Sequence, residues 1–420
     1  MTATMRPQGI DEDTMDDATR HRRVLPASLP DLAAHRNTHG PLPQPRDLIG
    51  LVGEAGLTGR GGAGFPTARK LAAVAATGRT RRPVVVANGT ESEPASQKDR
   101  ALLAHAPHLV LDGLHLVAEA LRADRAIVYL PRVSGDRLAE QVAQRRAAGW
   151  DRLAVEIMVA PQGFVVGEES AVVSAIEGGP AKPRDKRKLI VEAGVRGAPT
   201  LVQNVETLAH IALIARHGPT WFRERGTADE PGTFLVTVGG AVKTPGVYEH
   251  PLGASLGALL SAAGGPVGPL QAVLVGGYHG AWVLPDPELP VSRAALAAYG
   301  TGPGAGVVLP LPAEACGLAE SARITRYLAD QSAGQCGPCR NGLPHMADTL
   351  ARLAQGFQTH GAGGPGLVEE VRRMTALVTG RGACHHPDGT ARFVRSTLLA
   401  FSAEVELHLA GRCRARGGRG

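Results

Sequence analysis

Aromatic residues and long apolar runs are both scarce in this 420-residue chain. Phe, Trp and Tyr together make up 4% of the sequence, which instead leans on Ala, Gly, Val, Leu and Arg. Apolar runs such as 83–87 and 211–215 are far shorter than the roughly 20 residues that a helix needs to cross a bilayer, so we expect no direct membrane insertion. Residues 1–27 are acidic and then basic, without the apolar segment of a secretory signal. These absences predict a cytoplasmic protein.

Cysteine is also rare, and its pattern is informative. The five cysteines include one Cys-x-x-Cys pair and no even framework of the kind that forms disulfides. In a large chain without a secretory signal, this pattern favours metal or redox chemistry over structural disulfides.

The positive charge of the chain is concentrated at its end. The formal net charge is +6, and Arg412, Arg414, Arg416 and Arg419 supply four of those charges. No basic stripe interleaved with aromatic residues occurs within the rest of the sequence. We therefore expect no nucleic-acid partner.

Composition and periodicity divide the chain into successive regions. A hydrophobic fraction of 43% with 20% charged residues predicts a folded protein of about two to four domains. Apolar runs at 83–88, 126–130 and 155–159 are strand candidates separated by helical patterns, which indicates an α/β sandwich with a partly parallel sheet. Apolar spacing predicts later helices at 318–328, 343–353, 367–377 and 391–409. The predicted regions are a flexible extension (1–45), an α/β domain (46–230), a β-rich module (231–312), a helical domain (313–411) and a basic tail (412–420).

A glycine-rich segment at 59–67 is the first candidate site. Three of its glycines satisfy the G-x-G-x-x-G spacing of dinucleotide-binding proteins, but the preceding residues 47–54 look helical, whereas that motif follows a strand. Consecutive glycines let backbone N–H groups approach a phosphate, and Arg60 and Lys70 supply positive charge nearby. A phosphate-binding loop and a plain surface turn are both compatible with these residues.

Polar segments follow or precede predicted elements at three further places. Residues 88–94 follow the triple-valine strand, where α/β sheets bind ligands, and could hydrogen-bond ribityl hydroxyls or a flavin edge. Residues 163–170 place two adjacent glutamates at a helix start, and 197–207 place amide and hydroxyl groups before an apolar helix. Each of these segments has an alternative structural explanation, as a solvated loop, a favourable charge at a helix dipole or a helix cap.

The Cys-x-x-Cys pair Cys336 and Cys339 lies in a predicted loop before a helix, and Cys384 lies downstream. Two thiolates at this spacing suit a metal ion or an iron–sulfur cluster. A redox-active dithiol without metal is the alternative.

Taken in order, these segments resemble the flavoprotein (51 kDa) subunit of complex I NADH dehydrogenases and the diaphorase subunits of NAD-linked hydrogenases and formate dehydrogenases. The likeness covers about 46–410. It implies an FMN-binding α/β domain, an SLBB-like β-grasp module and a helical iron–sulfur domain. It also implies hydride transfer from NAD(P)H to FMN, followed by one-electron transfer to an iron–sulfur cluster ([4Fe–4S] or [3Fe–4S]) and to a redox partner subunit or ferredoxin-like protein.

Carried over residue by residue, the resemblance assigns three groups of positions. Catalytic positions in the flavin–NADH cleft are Glu93 and Glu169. Cofactor-binding positions are Gly59, Arg60, Gly61, Gly62, Gly64, Phe65, Lys70, Asn88, Glu91, Gly167, Glu168, Lys186, Gln203 and Asn204. Metal ligands are Cys336, Cys339 and Cys384.

The sequence departs from the family at the cluster motif. The family has Cys-x-x-Cys-x-x-Cys and a distant fourth cysteine, whereas Ala333 occupies the first position here. A [4Fe–4S] cluster with a non-cysteine ligand, a [3Fe–4S] cluster and a Cys₃His zinc site using His385 or His386 all remain open. Cys316 is not expected to substitute, because a helix of about a dozen residues, roughly 18 Å long, separates it from Ala333.

The expected nucleotide pocket is altered as well. Leu189 and Ala73 stand where the family has aromatic residues, and Thr90 replaces an acidic one. Each lost aromatic pair removes roughly 0.5–1.5 kcal/mol beyond area burial, so FMN binding looks better preserved than NADH binding. The alternative function is therefore a non-catalytic paralogue that keeps the fold as an assembly or ligand-binding module, with zinc or no metal at the cysteines.

Overall fold

The computed structural model describes residues 23–25, 31–78, 81–185, 188–356 and 364–416. The first sheet is built from β1 (Val84–Asn88), β2 (Arg125–Leu130), β3 (Val155–Val159) and β4 (Thr200–Asn204). Its order is β3-β2-β1-β4, and every neighbouring pair is parallel. The helices around it are α1 (Leu32–His39), α2 (Leu48–Ala55), α3 (Thr67–Thr77), α4 (Lys98–His105), α5 (Pro107–Ala120), α6 (Arg132–Ala147), α7 (Glu169–Ile176), α8 (Ile190–Ala193) and α9 (Val205–Arg223).

Both faces of this sheet are covered, as its sequence requires. Side chains alternate along a strand, so Val85 and Ala87 of β1 enter one core while Val84 and Val86 enter the other. The first core is packed by α2, α5 and α9, and the second by α7. A parallel sheet buried on both faces reads as a continuous apolar run, which is why the triple valine predicted β1 correctly.

The second sheet is mixed and has five strands. They are β5 (Thr233–Val238), β6 (Gly246–Pro251), β7 (Leu270–Val275), β8 (Ala281–Val283) and β9 (Val307–Pro312), with α10 (Leu256–Ala262) and α11 (Arg293–Leu296) between them. The order is β6-β5-β9-β7-β8, in which β5 and β9 are parallel and the other pairs are antiparallel. Val273 and Val275 of β7 fill a core with α10, while Ala272 and Leu274 face the C-terminal helices.

The C-terminal region is helical. It consists of α12 (Gly317–Asp330), α13 (Leu343–Ala354), α14 (Gly364–Val378), α15 (His386–Ala400) and α16 (Ser402–Leu409), with a π-helical turn at Pro338–Gly342. Trp282 of β8 ties this bundle to the second sheet, because its indole N–H donates to Ser321 Oγ at 3.0 Å and its ring packs edge-on against Phe401. The observed elements confirm the predicted fold class.

Two local predictions need correction. The helix predicted over 391–409 is divided at Phe401, which is buried and lies between α15 and α16. The extension predicted over 1–45 contains α1, which has no sustained apolar pattern. Asp31 caps α1 by accepting the Ala33 N–H at 2.6 Å, and His35 lies 2.8 Å from the buried Asp112 carboxylate, so tertiary contacts stabilise a helix that periodicity does not reveal.

Among the described residues, no single helix has the length and apolar character needed to cross a membrane. The pair α4 and α5 passes that test when taken together, but the chain bends by 95° between them.

Candidate active site

A cavity of about 530 Å³ lies where the two sheets and the helical region meet. Its wall includes Gly61 and Gly62 of the glycine loop, Gly304 of the second sheet and Cys384 of the helical region. A neighbouring cavity of about 110 Å³ shares five of its lining residues, namely Gly61, Ser92, Glu93, Gly167 and Ala305. Cavities of 300–1,000 Å³ are typical of small-molecule and cofactor sites.

The glycine loop is shaped for a close approach of its backbone. Gly59 N–H donates to Phe65 O at 2.9 Å and closes the loop, and Gly62 has φ +108°, which favours glycine. A Cβ on Gly64 would lie 1.4 Å from the Arg293 guanidinium of α11. Arg293 also donates to Ala63 O at 3.4 Å, so a cation from the second sheet lies against the loop.

Arg60 does not provide the positive charge that the sequence led us to expect at this cavity. Its guanidinium is buried and donates to the carbonyl oxygens of Thr233 and Pro231, both at 3.2 Å, while its backbone N–H donates to Thr207 Oγ1 at 2.8 Å. Burial lowers its pKa to about 10. Arg60 lines neither the 530 Å³ nor the 110 Å³ cavity, because its side chain instead satisfies carbonyl groups at the start of β5.

Lys70 and Glu169 also differ from expectation. The Lys70 ammonium donates to the Glu169 carboxylate and to Val202 O, the latter at 2.6 Å. Neither residue lines the two cavities, so Glu169 does not face them as the resemblance implied. Its neighbour Glu168 does line the larger cavity, and it also caps α7 by accepting the Ser170 N–H at 2.9 Å. Glu168 therefore caps α7 and also lies at the cavity wall.

Polar side chains at the ends of two adjacent strands line the smaller cavity. Asn88 and Asn204 are register partners at the carboxyl ends of β1 and β4. Asn88 Nδ2 donates to Gly167 O at 2.9 Å, and Asn204 Nδ2 donates to Asp99 Oδ2 at 2.7 Å. This is the edge where parallel sheets bind ligands, as the sequence predicted.

Glu91 lines the same cavity, but its carboxylate is largely engaged. It accepts the N–H groups of Asp99 at 2.8 Å and Arg100 at 3.1 Å, and the Ser96 hydroxyl at 2.9 Å. Glu91 has φ +42°, which is uncommon for a residue with a side chain. The helix-capping alternative for this segment is therefore realised at the start of α4.

Glu93 lines both cavities and is 9% exposed. Its carboxylate accepts the N–H groups of Tyr278 at 2.8 Å and Ala95 at 3.2 Å. Burial raises its pKa to about 7 despite these two hydrogen bonds. A carboxyl group with a pKa near neutrality inside a cavity is typical of functional sites.

The remaining cofactor-binding candidates vary in position. Phe65 is 51% exposed, and the Arg69 guanidinium lies 5.7 Å from its ring centre. Gln203 is buried, and its Oε1 has no hydrogen-bond partner within the described part of the chain. Lys186 lies outside the described residues. Leu189, where the family has an aromatic ring, is 56% exposed.

The three candidate metal ligands interact with one another. Burial alone would raise the pKa of the Cys336 thiol, but hydrogen bonds from the N–H groups of Cys339 and Ala383 lower it. Burial, then Cys336 and Cys384, raise the pKa of Cys339 to about 12. Ala333 is buried three positions before Cys336 and offers a methyl group where the family has a fourth thiol.

The two histidines after Cys384 differ in their availability. His386 Nε2 donates to Leu328 O at 2.8 Å and its Nδ1 accepts from His279 at 3.1 Å, so both ring nitrogens are occupied. His385 is exposed and its Nδ1 lies 3.3 Å from Asp388 Oδ2. A Cys₃His site through His386 would require its contact with His279 to break, whereas His385 is exposed and adjacent to Cys384.

Two residues of this region were assigned no role from the sequence, although one of them lies in the candidate segment 163–170. Phe164 lines the 530 Å³ cavity and packs edge-on against His279, with ring centres 4.6 Å apart. Its place directly before Val165-Val166-Gly167 was the available signal. Arg293 had no such signal, because it lies about 230 positions after the loop that it contacts.

Comparison with known proteins identifies the relatives of this chain. Residues 52–213 match the Nuo51 FMN-binding domain, 235–275 the SLBB domain and 319–408 the NADH-ubiquinone oxidoreductase-F iron–sulfur binding region. The chain is 34% identical to the NADH-quinone oxidoreductase F-subunit 2 of Rhizobium meliloti (strain 1021), over 87% of this chain and 89% of that protein. This chain belongs to the family of NADH-quinone oxidoreductase F-subunits. It is 31% identical to the F-subunit of Streptomyces coelicolor (strain ATCC BAA-471 / A3(2) / M145), over 88% of this chain and 84% of that protein.

A solved structure supports the same placement. The crystal structure of the NAD⁺-reducing [NiFe]-hydrogenase in the H₂-reduced state superposes with a TM-score of 0.78 at 32% identity, covering 86% of this chain and 62% of that chain. The resemblance predicted from the sequence is confirmed, with its fold class and its assignment to FMN- and iron–sulfur-dependent electron transfer.

The site residues of this chain fit an FMN, but they do not supply the four cysteines of a complete [4Fe–4S] ligand set. Gly61 and Gly167 border both cavities, and a Cβ on Gly167 would lie 2.6 Å from Thr90 Oγ1, so the wall has no room for a side chain there. The cysteine site supplies three thiols, and the fourth position is an alanine. It therefore fits a metal group that is held by three protein thiolates.

Proposed function

We propose that this chain oxidises NAD(P)H with an FMN held in the paired cavities and passes the electrons to a metal group on Cys336, Cys339 and Cys384. One observation carries the proposal: the 530 Å³ cavity is lined both by the glycine loop and by Cys384. A flavin accepts two electrons together and releases them singly, which suits a site placed between a hydride donor and a one-electron carrier.

The residues of the chain would bind and orient the flavin. We propose that Asn88 and Asn204, fixed by their bonds to Gly167 O and Asp99, offer polar groups to the ribityl chain. The N–H groups near Gly61 and Gly62 and the Arg293 guanidinium would receive the phosphate. Arg293 takes the part that the resemblance assigned to Arg60, since it reaches the cavity and Arg60 does not.

Glu93 is the proposed group for managing charge beside the nicotinamide. Its carboxyl group is held by the Tyr278 and Ala95 N–H groups, and its pKa near 7 lets it hold or lose a proton at physiological pH. The Glu93 side chain would thereby adjust the local charge when the charge of the cofactor changes. Glu168 would add a second carboxyl group to the same cavity wall.

The electron acceptor is proposed to be another protein. The Rhizobium meliloti relative is named as one subunit of an oxidoreductase, which implies further subunits that carry the electrons onward. A redox partner subunit or a ferredoxin-like protein would collect electrons from the Cys336–Cys339–Cys384 site. We propose that the chain binds NADH with less aromatic stacking than other members of the family, because Leu189 and Ala73 replace aromatic residues.

The test uses the full chain expressed with ample iron. We expect flavin absorbance in the purified protein and rapid bleaching on mixing with NADH or NADPH in a stopped-flow instrument. EPR spectra before and after reduction then report whether electrons reach a metal group. Gly135→Ala serves as a matched control for glycine variants, because a Cβ there has no neighbour closer than 3.6 Å. A colourless protein that ignores added FMN would sink the proposal.

The second candidate is a non-catalytic paralogue, favoured by Ala333 and Leu189. If this function is correct, we expect bound FMN that neither NADH nor NADPH bleaches, and zinc or no metal at the cysteines. Elemental analysis for iron against zinc, made on the protein used for stopped-flow, separates the two functions.

A further inference from the structure

Four side chains that bind metals in proteins converge at the end of the helical region. They are Cys316, Glu404, His408 and Cys413, and one potential ligand atom from each lies within 4.8 Å of all the others. None of them belongs to the Cys336–Cys339–Cys384 site. Cys316 immediately precedes α12, whose 14 residues, roughly 21 Å in length, separate it from the Cys-x-x-Cys segment.

The spacing of these atoms suits a tetrahedral ion. Cys316 Sγ lies 3.6 Å from His408 Nε2. Zinc bonds of about 2.3 Å to sulfur and about 2.0–2.1 Å to nitrogen give an S···N edge of roughly 3.5 Å in a tetrahedron. Glu404 Oε1 lies 4.0 Å from His408 Nε2, so a small movement of the carboxylate would complete this edge as well.

The histidine is held in the form that a metal requires. His408 is fully buried and its Nδ1 lies 3.3 Å from the carbonyl oxygen of Leu353. A carbonyl oxygen can only accept, so Nδ1 donates to Leu353, and Nε2 points toward Cys316 and Glu404. A histidine that donates its other N–H to a carbonyl is the usual arrangement behind a metal ligand.

Glu404 is oriented in the same way. Its Oε2 accepts the Gly317 N–H and the Gln271 side-chain N–H, both at 3.0 Å. Its Oε1 is buried, and no hydrogen bond to it is found among the described residues. The neighbours of this oxygen are the Cys316 thiol, which interacts with Glu404, and His408 Nε2. A carboxylate that is 1% exposed needs such partners, and a cation bound to all of these groups would satisfy it more fully.

We propose that Cys316, Glu404, His408 and Cys413 bind a structural Zn²⁺. Two thiolates, one imidazole and one carboxylate fill all four tetrahedral positions, and a site closed by four protein ligands is structural rather than catalytic. Binding releases the thiol protons to solvent and involves no electron transfer. The ion joins the residue before α12 to the end of α16 and to the segment after it, across 92 sequence positions between Cys316 and His408.

The experiment measures zinc in full-length protein in which Cys336→Ser has disabled the other cysteine site. This protein is loaded with zinc under reducing conditions, desalted and analysed by mass spectrometry of the element. We expect one zinc per chain, and none after adding Cys413→Ser. Competition with a chelator should show an affinity loss of more than roughly 100-fold, since even outer-shell changes typically cost 10- to 100-fold. Cys413 is partly exposed, so this variant is expected to fold, which circular dichroism checks.

Hydrogen exchange provides a second readout. Zinc should protect backbone N–H groups of 411–416 in the protein that keeps Cys413 and leave them unchanged in the variant. The proposal is overturned if Cys413→Ser retains zinc with unchanged affinity. It is also overturned if reduced protein binds no zinc. In that case, a peptide that links Cys316 to Cys413 in a digest of protein made without reductant would identify a disulfide between them instead.

Discussion

Replacement of Lys98 by methionine tests the contact between the first two domains. Lys98 Nζ lies 2.7 Å from Asp99 Oδ1 and 2.8 Å from Glu206 Oε2, and all three side chains are buried. Glu206 in turn accepts the Leu235 N–H of β5 at 2.8 Å. Burial opposes ionisation of Glu206, but Lys98, His210 and Arg60 outweigh it and lower its pKa to about 2.

The magnitude follows from these values. A carboxyl pKa lowered from 4.5 to about 2 corresponds to roughly 3 kcal/mol in favour of the ionised form. Removing one partner of a buried ion pair typically costs about 3–5 kcal/mol, because the other charge is left without compensation. We therefore expect Lys98→Met to lower the free energy of unfolding by about 3–5 kcal/mol. FMN affinity should fall as well, because Asn204 at the cavity is held by Asp99.

The assay is equilibrium urea denaturation, followed by tryptophan fluorescence and by circular dichroism. The two transitions must coincide before a free energy is extracted from a chain with several domains. Lys243→Met is the control, since Lys243 is exposed and such surface changes usually fall within about 0.5 kcal/mol. Lys98→Met combined with Glu206→Gln should recover part of the loss. A single variant within about 1 kcal/mol of the native protein, or a double variant no better than the single one, would refute the reasoning.

Three further predictions concern the cavity and the cysteine site. Glu93→Gln should reduce a pH dependence, because burial raises the pKa of Glu93 from 4.5 to about 7, so this group costs the native protein up to roughly 3 kcal/mol of stability as pH rises through that window. Denaturation at pH 5 and pH 8 should therefore show a smaller loss in the variant than in the native protein. Gly167→Ala should weaken FMN binding at least about 10-fold in a fluorescence titration, because about 1–2 kcal/mol of steric cost suffices, whereas Gly135→Ala should not. Ala333→Cys supplies the fourth thiol, so it should raise iron per chain and the EPR signal of the reduced [4Fe–4S] cluster; a variant that still binds no iron would show that these cysteines do not form an iron–sulfur site.

Features that depend on local sequence could be predicted, and those that depend on distant contacts could not. The triple valine, the glycine loop and the Cys-x-x-Cys pair each carry their signal within a few residues. The direction of the Arg60 side chain depends on carbonyl groups of Thr233 and Pro231, about 170 positions away. The pairing of Lys70 with Glu169 likewise joins residues 99 positions apart.

The Cys316 cluster illustrates the same limit. Cys316 and Cys413 look like isolated cysteines in the sequence, and Glu404 and His408 look like ordinary helix residues one turn apart. Their meeting depends on how α12 and α16 pack in the folded bundle. In the sequence, Cys413 lies among the arginines of the C-terminal tail, and nothing near it indicates a metal ligand.

The hydrophobic interior has a consequence for electron transfer. One continuous core contains Phe164 beside the cavity, Leu274 and Trp282 of the second sheet, and Cys339 of the helical region. Electron-tunnelling rates fall exponentially with the distance between donor and acceptor. Close-packed side chains fix that distance, so the transfer rate varies little from one molecule to the next. Because the second sheet shares this core with Phe164 and Cys339, loosening its packing would disturb the cavity and the cysteine site without altering a single ligand.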